Sequence, residues 1–129
     1  MRDSTHRRPF YLPFQSFREL IVWRKSIDLT IDVYRLTRNF PPDERFGITA
    51  QVRRAVMSVS NNIAEGHGRA TRGEFRNSLS IARGSANEVE NCLIVSTRLQ
   101  FGSEEDIQPL LARTNEVQRM LVSLRARLK

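Results

Sequence analysis

The chain has 129 residues, of which 27% are charged and 40% hydrophobic, a length and composition typical of one globular domain. No apolar run approaches the roughly 20 residues that cross a bilayer, and the N-terminus lacks the apolar segment of a secretory signal. A single cysteine, Cys92, and only two histidines exclude an internal disulfide and a multi-cysteine zinc site. We therefore expect a cytoplasmic protein with no cofactor, no metal and no membrane contact.

Positive charge is the first indication of function. Lysine and arginine number 21 against 14 acidic residues, which gives a net charge of +7, and 19 of the 21 cations are arginines. The guanidinium group is a planar fork of donors that grips phosphate in two places, and a net positive field attracts polyanions. The composition favours a nucleic-acid partner, although arginines that merely solvate helix faces would give the same count.

The first 15 residues differ in character from the rest of the chain. Pro9 and Pro13 disfavour a helix, and the aromatic residues around them supply apolar groups for docking. We predict an extended N-terminal arm over residues 1–15 and a four-helix bundle domain over residues 16–129.

The first helix is predicted to begin at Ser16, whose hydroxyl would cap the backbone while Glu19 reaches back, the spacing of a capping box. It should end by Asn39, because Pro41 and Pro42 follow. Its apolar stripe, at three- and four-residue steps, is Leu20, Trp23, Ile27, Thr30 and Tyr34.

The second helix is predicted from Ile48 or Thr49 to Glu65, and Gly66 and Gly68 should end it by accepting a positive φ. Its apolar stripe is Ile48, Val52, Ala55, Val59 and Ile63.

The third helix has the clearest start, because Thr71 and Glu74 have the spacing of a capping box. Gly102 is expected to end it. Its apolar stripe is Phe75, Leu79, Ala82, Ala86, Val89 and Leu93.

Two starts are open for the fourth helix. A helix capped by Ser103 would contain Pro109, which removes a hydrogen bond and clashes with a carbonyl. A cap at Asp106 places Pro109 in the first turn, where proline is tolerated, and we prefer this start. The apolar stripe is Ile107, Leu110, Thr114, Val117, Leu121, Leu124 and Leu128.

No segment shows the alternation of a half-buried strand. Four amphipathic helices joined by short loops predict an all-α protein, an antiparallel four-helix bundle with up-down-up-down topology.

A second face of the second helix is polar, and its members lie beside the apolar stripe, so we expect them to be partly buried. They are Gln51, Arg54, Ser58, Asn62 and Glu65. Buried polar groups need partners, and Arg54 is expected to meet an acid such as Glu65 or Glu88. Gly84 and Ser85 would let the third helix approach closely. We interpret the set as a structural polar network that fixes helix register or a subunit contact; a ligand site and a solvated face are the alternatives.

The loop from Gly66 to Arg72 combines two glycines with a helix start, where free N–H groups attract anions, but it matches neither phosphate-binding glycine motif. Its histidine, His67, is expected to be exposed and forms no recognisable catalytic triad. Four arginines run from this loop along the third helix: Arg69, Arg72, Arg76 and Arg83. The last three lie within about 40° and span about 16 Å, a row that can track a nucleic-acid backbone. Pairing with acids of a neighbouring helix, or solvation, is the alternative.

Several segments of the sequence match a known family. They are Phe17-Arg18-Glu19-Leu20, Val22-Trp23, Phe40-Pro41, Phe46-Gly47, Gln51-Val52-Arg53-Arg54-Ala55, Asn62-Ile63-Ala64-Glu65-Gly66, Gly68-Arg69, Gly84-Ser85 and Glu88. On these residues the chain resembles the four-helix bundle proteins, also called 23S rRNA intervening-sequence proteins, over about residues 16–128.

The resemblance implies a bundle that assembles as a homopentamer around a central channel. The chain is similar, too, to the accessory variability protein of diversity-generating retroelements, a basic pentameric bundle that binds a reverse transcriptase and nucleic acid. The family brings no catalytic residues to this sequence. Five copies would also pool their positive charge into a strong collective field.

These observations lead to one hypothesis of function. The chain is expected to be a non-enzymatic, basic, homo-oligomeric bundle that binds RNA or DNA mainly through backbone phosphates, as an accessory or scaffold. A reverse transcriptase or another protein is a further expected partner. The alternative is a protein-interaction adapter with no direct role at nucleic acid.

Overall fold

The structure, a computed structural model, describes residues 16–128, and the arm predicted over residues 1–15 lies outside them. Within this range four α-helices account for most of the chain, and there is no strand. The helices are α1 (Ile21–Thr37), α2 (Ile48–His67), α3 (Arg72–Arg98) and α4 (Glu104–Ala126). Single 3₁₀ turns, Phe17–Glu19 and Pro42–Glu44, precede α1 and α2.

The four helices form a closed bundle. Each helix packs against its neighbour in sequence, and α1 also packs against α4, so the arrangement has four sides around one apolar core. The loops are short, which makes sequential helices antiparallel. The predicted all-α, up-down-up-down bundle is confirmed. In the part of the chain described, no helix has both the length and the apolar character that crossing a bilayer requires.

The first helix begins later than predicted. Ser16 does accept a hydrogen bond, from the Arg18 N–H at 3.1 Å, but it caps only the 3₁₀ turn. Leu20 then adopts an extended conformation (φ −76°, ψ 124°) that buries its side chain, and α1 starts at Ile21. The expected capping box at Ser16 and Glu19 is therefore wrong, because burial of Leu20 interrupts the helix between them.

The buried stripe of α1 lies about 90° around the helix from the predicted one. Tyr34 is exposed, whereas the core side consists of Val22, Ser26, Leu29, Thr30, Val33 and Thr37. The hydroxyls of Ser26, Thr30 and Thr37 donate to helix carbonyls three or four residues earlier, at 2.7–2.8 Å. Because these donors are satisfied within the helix, small polar residues can occupy the core side.

The end of α2 is built differently from the prediction. Gly66 lies inside the helix and is buried, and a Cβ there would come within 2.5 Å of the Ser78 Cβ on α3. Gly68 caps the helix with a negative φ of −82°. No described glycine has a positive φ; the one residue that does is Gln100 (62°), in the turn between α3 and α4. His67, expected to be exposed, is only 3% exposed and packs edge-on against Phe75.

The third helix agrees with the sequence in its start and its core side. Thr71 Oγ1 accepts from the Glu74 N–H at 3.1 Å, and Glu74 Oε1 accepts from the Thr71 N–H at 3.2 Å, so the capping box is confirmed. The whole predicted apolar stripe is buried. Close approach to α2, however, occurs at Gly66 and not at Gly84, where an added Cβ would meet nothing within 4 Å. The helix ends at Arg98, before Gly102.

The fourth helix uses the start that we did not prefer. Ser103 is the cap and accepts from the Asp106 N–H at 3.1 Å, so Pro109 lies inside α4. The carbonyl that loses its helical partner belongs to Glu105, and both Glu105 and Pro109 are exposed to solvent. Water can hydrate that carbonyl, which lowers the cost of the proline. The predicted apolar stripe of α4 is buried throughout.

Candidate nucleic-acid interface

The four arginines predicted to contact phosphate fall into two groups. Arg69, in the loop before α3, is held by an acid, because its Nη2 lies 3.0 Å from Glu65 Oε2. Arg72 is the first residue of α3 and is exposed. Arg76 and Arg83 lie two turns apart on the side of α3 that faces α4.

Arg76 and Arg83 line a recess between α3 and α4. Its volume is about 240 Å³, and its apolar base includes Leu79 and Leu121, each 1% exposed. A third arginine, Arg125 from α4, lines the same recess, and its Nε donates to the Arg76 carbonyl at 3.3 Å. The antiparallel packing of α3 and α4 thus brings together arginines that are 42 or more residues apart in sequence.

A second recess continues the first along the same two helices. It has a volume of about 320 Å³ and shares Arg83 and Val122 with its neighbour. Arg119 of α4 is added there, opposite Arg83. We call the combined feature the arginine groove and define it by Arg76, Arg83, Arg119 and Arg125.

The arginine groove is not neutralised by acids among the residues described. Ion pairs in this range join Lys25 to Glu116, Arg35 and Arg113 to Asp32, and Arg69 to Glu65. None involves a groove arginine. Nor does the buried Nε of Arg76 have an acceptor, and an unsatisfied buried donor costs about 1–3 kcal/mol. An anion seated in the groove would supply the missing acceptor.

Sequence reasoning missed Arg119 and Arg125. Viewed along α4, these two lie about 60° to either side of Val122, so no row of arginines marks that helix. The signal that existed was the pairing of α3 with α4, since an antiparallel alignment that sets Asn87 beside Gln118 also sets Arg76 beside Arg125. That alignment depends on side-chain packing and not on the periodicity of either helix.

The predicted polar network of α2 is only partly assembled in the single chain. Ser85 on α3 donates to Ser58 at 2.9 Å, and Asn62 Nδ2 donates to the Ser58 carbonyl at 2.8 Å and to its hydroxyl at 3.0 Å. The charged and amide members of the set are exposed and take no part in it: Gln51, Arg54, Glu65 and Glu88. Arg54 contacts neither of the acids proposed for it; Glu65 pairs with Arg69 instead.

The remaining reactive group, the thiol of Cys92, is 5% exposed and packs in the core. Burial raises the pKa of this thiol above its ordinary value, and the neighbouring Glu88 carboxylate adds to the shift. Among residues 16–128, no three His, Cys, Asp or Glu side chains are grouped so as to hold a metal ion. The chemical character of the described surface therefore lies mainly in the arginine groove.

Comparison with known proteins gives the family. No curated protein sequence matches the chain. Among solved structures, a protein of unknown function from the S23 ribosomal protein family of Bacteroides thetaiotaomicron is similar in fold, with a TM-score of 0.73 and 26% identity. The match covers 81% of this chain and 97% of that one. A family profile described as 23S rRNA-intervening sequence protein matches residues 18–123. Because that match spans most of the chain, the protein belongs to the 23S rRNA-intervening sequence protein family.

Proposed function

We propose that this protein is a non-enzymatic accessory or scaffold protein that binds RNA or DNA through backbone phosphates. One observation carries the proposal: Arg76, Arg83 and Arg125 converge on one recess and have no acidic partner in the described chain. Clustered, unneutralised guanidinium groups are the type of site that phosphate oxygens satisfy. The net charge of +7 would attract a polyanion to that surface from a distance.

The structure changes the weight given to the predicted binding residues. Arg69 is engaged by Glu65, so a phosphate would have to compete with a carboxylate at 3.0 Å. Arg76 and Arg83 face no such competition among residues 16–128. Within the proposal, these two arginines of α3 therefore make the main contribution, and Arg69 and Arg72 extend the surface towards the loop.

We further propose that the protein acts as a homo-oligomer, with the outer face of α2 and α3 as the contact. Gly84 supports this, because an exposed glycine inside a helix costs about 0.5–1 kcal/mol and nothing within the chain requires it. Exposed apolar side chains lie near it, with Ile81 49% and Met57 38% exposed. Arg54 and Glu88 would then find their partners across the contact.

Salt dependence tests the nucleic-acid proposal. Binding of labelled single- and double-stranded RNA and DNA is measured between 50 and 200 mM NaCl, together with the mass of the protein in solution. Each phosphate contact should contribute about 0.7 to 0.9 to the slope of log affinity against log salt. Replacing both Arg76 and Arg83 by Gln should lower that slope by about 1.4 to 1.8. A complex insensitive to salt, or no binding by the native protein, would contradict the proposal.

A protein-interaction adapter is the second candidate function. Phe46, in the loop before α2, is 84% exposed, with the Arg45 guanidinium 4.7 Å above its ring. A large exposed aromatic side chain of this kind is typical of a residue that anchors a protein contact. If nucleic acid does not bind and Phe46→Ala abolishes co-purification of a defined partner, the adapter is the correct function.

A further inference from the structure

The arginine groove has an internal geometry that the arginine row of α3 alone does not provide. Arg76 lies beside Arg125, and Arg83 lies opposite Arg119, so the groove contains two pairs of guanidinium groups. Arg76 and Arg83 are seven residues apart on one helix, which separates the two pairs by about 10 Å along the groove.

We propose that this groove is a binding site for the backbone of one single nucleic-acid strand, with Arg119 and Arg125 of α4 as phosphate-binding residues. The inference rests on the proposed function and deepens it. A strand carries one phosphate about every 3.4 Å, so the two arginine pairs span about three phosphates. Arg76 and Arg125 hold the first phosphate, and Arg83 and Arg119 hold the last.

The walls of the groove favour a single strand over a duplex. Guanidinium groups reach in from both helices towards one line of charge, whereas a duplex presents two rows of phosphate separated by a groove about 6 to 12 Å wide. Between the arginine pairs the base is apolar, with Leu79 and Leu121 buried and Val122 45% exposed. Sugar rings can pack on that surface. The buried Nε of Arg76 gains the acceptor that it lacks in the free protein.

The lining also predicts how sequence affects binding. Neither recess has an aromatic side chain among its described lining residues, so the groove offers no stacking platform for bases. Binding should therefore depend on the backbone and be nearly independent of base identity. Uridine and adenosine homopolymers of equal length are expected to bind within about threefold of each other.

The test compares two double variants that remove the same charge. Arg83→Gln with Arg119→Gln removes one pair of the groove, and both side chains are exposed, so the fold should persist. Arg38→Gln with Arg98→Gln removes two exposed arginines at the opposite end of the bundle. Thermal unfolding followed by circular dichroism checks that both variants fold.

Each protein is titrated into fluorescein-labelled 12-nucleotide oligouridine and into a 12-base-pair RNA duplex at 50 and 200 mM NaCl. The groove variant should bind the single strand about tenfold or more weakly, with the salt slope reduced by about 1.4, and the control variant should change less than about threefold. The native protein should prefer the single strand to the duplex.

Two results would overturn this inference while leaving the proposed function in place. One is an equal loss of affinity in the groove and control variants, which would mean that the general field and not the groove binds the strand. The other is duplex binding as tight as single-strand binding. Absence of binding by the native protein would overturn the inference and the proposed function together.

Discussion

The helix α3 presents two different edges to its neighbours. On the edge facing α2, small residues recur every seven positions: Ser78, Ser85 and Cys92. On the edge facing α4, the same spacing gives Arg76, Arg83 and Glu90. Seven residues are close to two helical turns, so each set lies in a line along the helix.

The two edges solve the packing problem in opposite ways. Towards α2, Ser78 lies against Gly66 and Ser85 donates to Ser58, so the contact is close and its polar atoms are satisfied within the chain. Towards α4, the Glu90 carboxylate accepts from Gln118, but the two arginines border recesses and lack acidic partners among the described residues. One edge of α3 therefore stabilises the fold, and the other is available to a ligand.

The largest expected effect comes from a change on the close edge. Gly66→Ala places a Cβ 2.5 Å from Ser78 Cβ and 3.0 Å from Phe75 Cδ1, so α2 and α3 must separate. We expect a loss of about 1–3 kcal/mol in the free energy of unfolding, measured by urea denaturation. Adding Ser78→Gly should recover part of that loss, as a double-mutant cycle would show. A stable Gly66→Ala single variant would mean that the two helices are not in close contact.

A smaller effect is expected from filling the open edge with an anion. Sulfate binding to the arginine groove should raise the free energy of unfolding by about 1.4 kcal/mol when its concentration is ten times the dissociation constant. In Arg83→Gln with Arg119→Gln, this gain should fall by half or more. Sodium chloride at matched ionic strength controls for general screening. Equal gains in sulfate and chloride would show that the groove does not select an anion.

Gly84→Ala provides a third comparison, because this glycine belongs to neither close edge. The added methyl group meets nothing within 4 Å, and alanine is the better helix former, so the isolated chain should be stabilised by about 0.5–1 kcal/mol. If a second copy packs on this face, the same change should also lower the mass of the protein in solution at a given concentration. An unchanged mass would separate Gly84 from the proposed subunit contact.

The smallest effect concerns pH and the Cys92 thiol on the close edge. Because burial raises its pKa in the folded state, the neutral thiol contributes stability that is fully present below the pKa of the unfolded chain. That contribution is lost as the pH rises through the folded-state pKa. We expect the native protein to lose more stability between pH 8 and 10 than Cys92→Ala does, by urea denaturation. A parallel decline in both proteins would contradict the assignment.

Local signals in the sequence predicted much of this architecture. The apolar stripes of α3 and α4 and the capping box at Thr71 depend on residues within a few turns of one another, and all were confirmed. Local signals failed where tertiary contacts competed with them. Burial of Leu20 displaced the start of α1, and solvent exposure of Glu105 made Pro109 acceptable inside α4.

The sequence by itself determined the number of helices, most of their core sides and the excess of arginine, because periodicity and charge are properties of the chain alone. Only the tertiary structure decided where the arginines meet. Arg125 reaches Arg76 across 49 positions, and Glu65 holds Arg69, because the register of packed helices selects the neighbours of each side chain. That register arises from the fit of side chains along whole interfaces, which no single helix encodes.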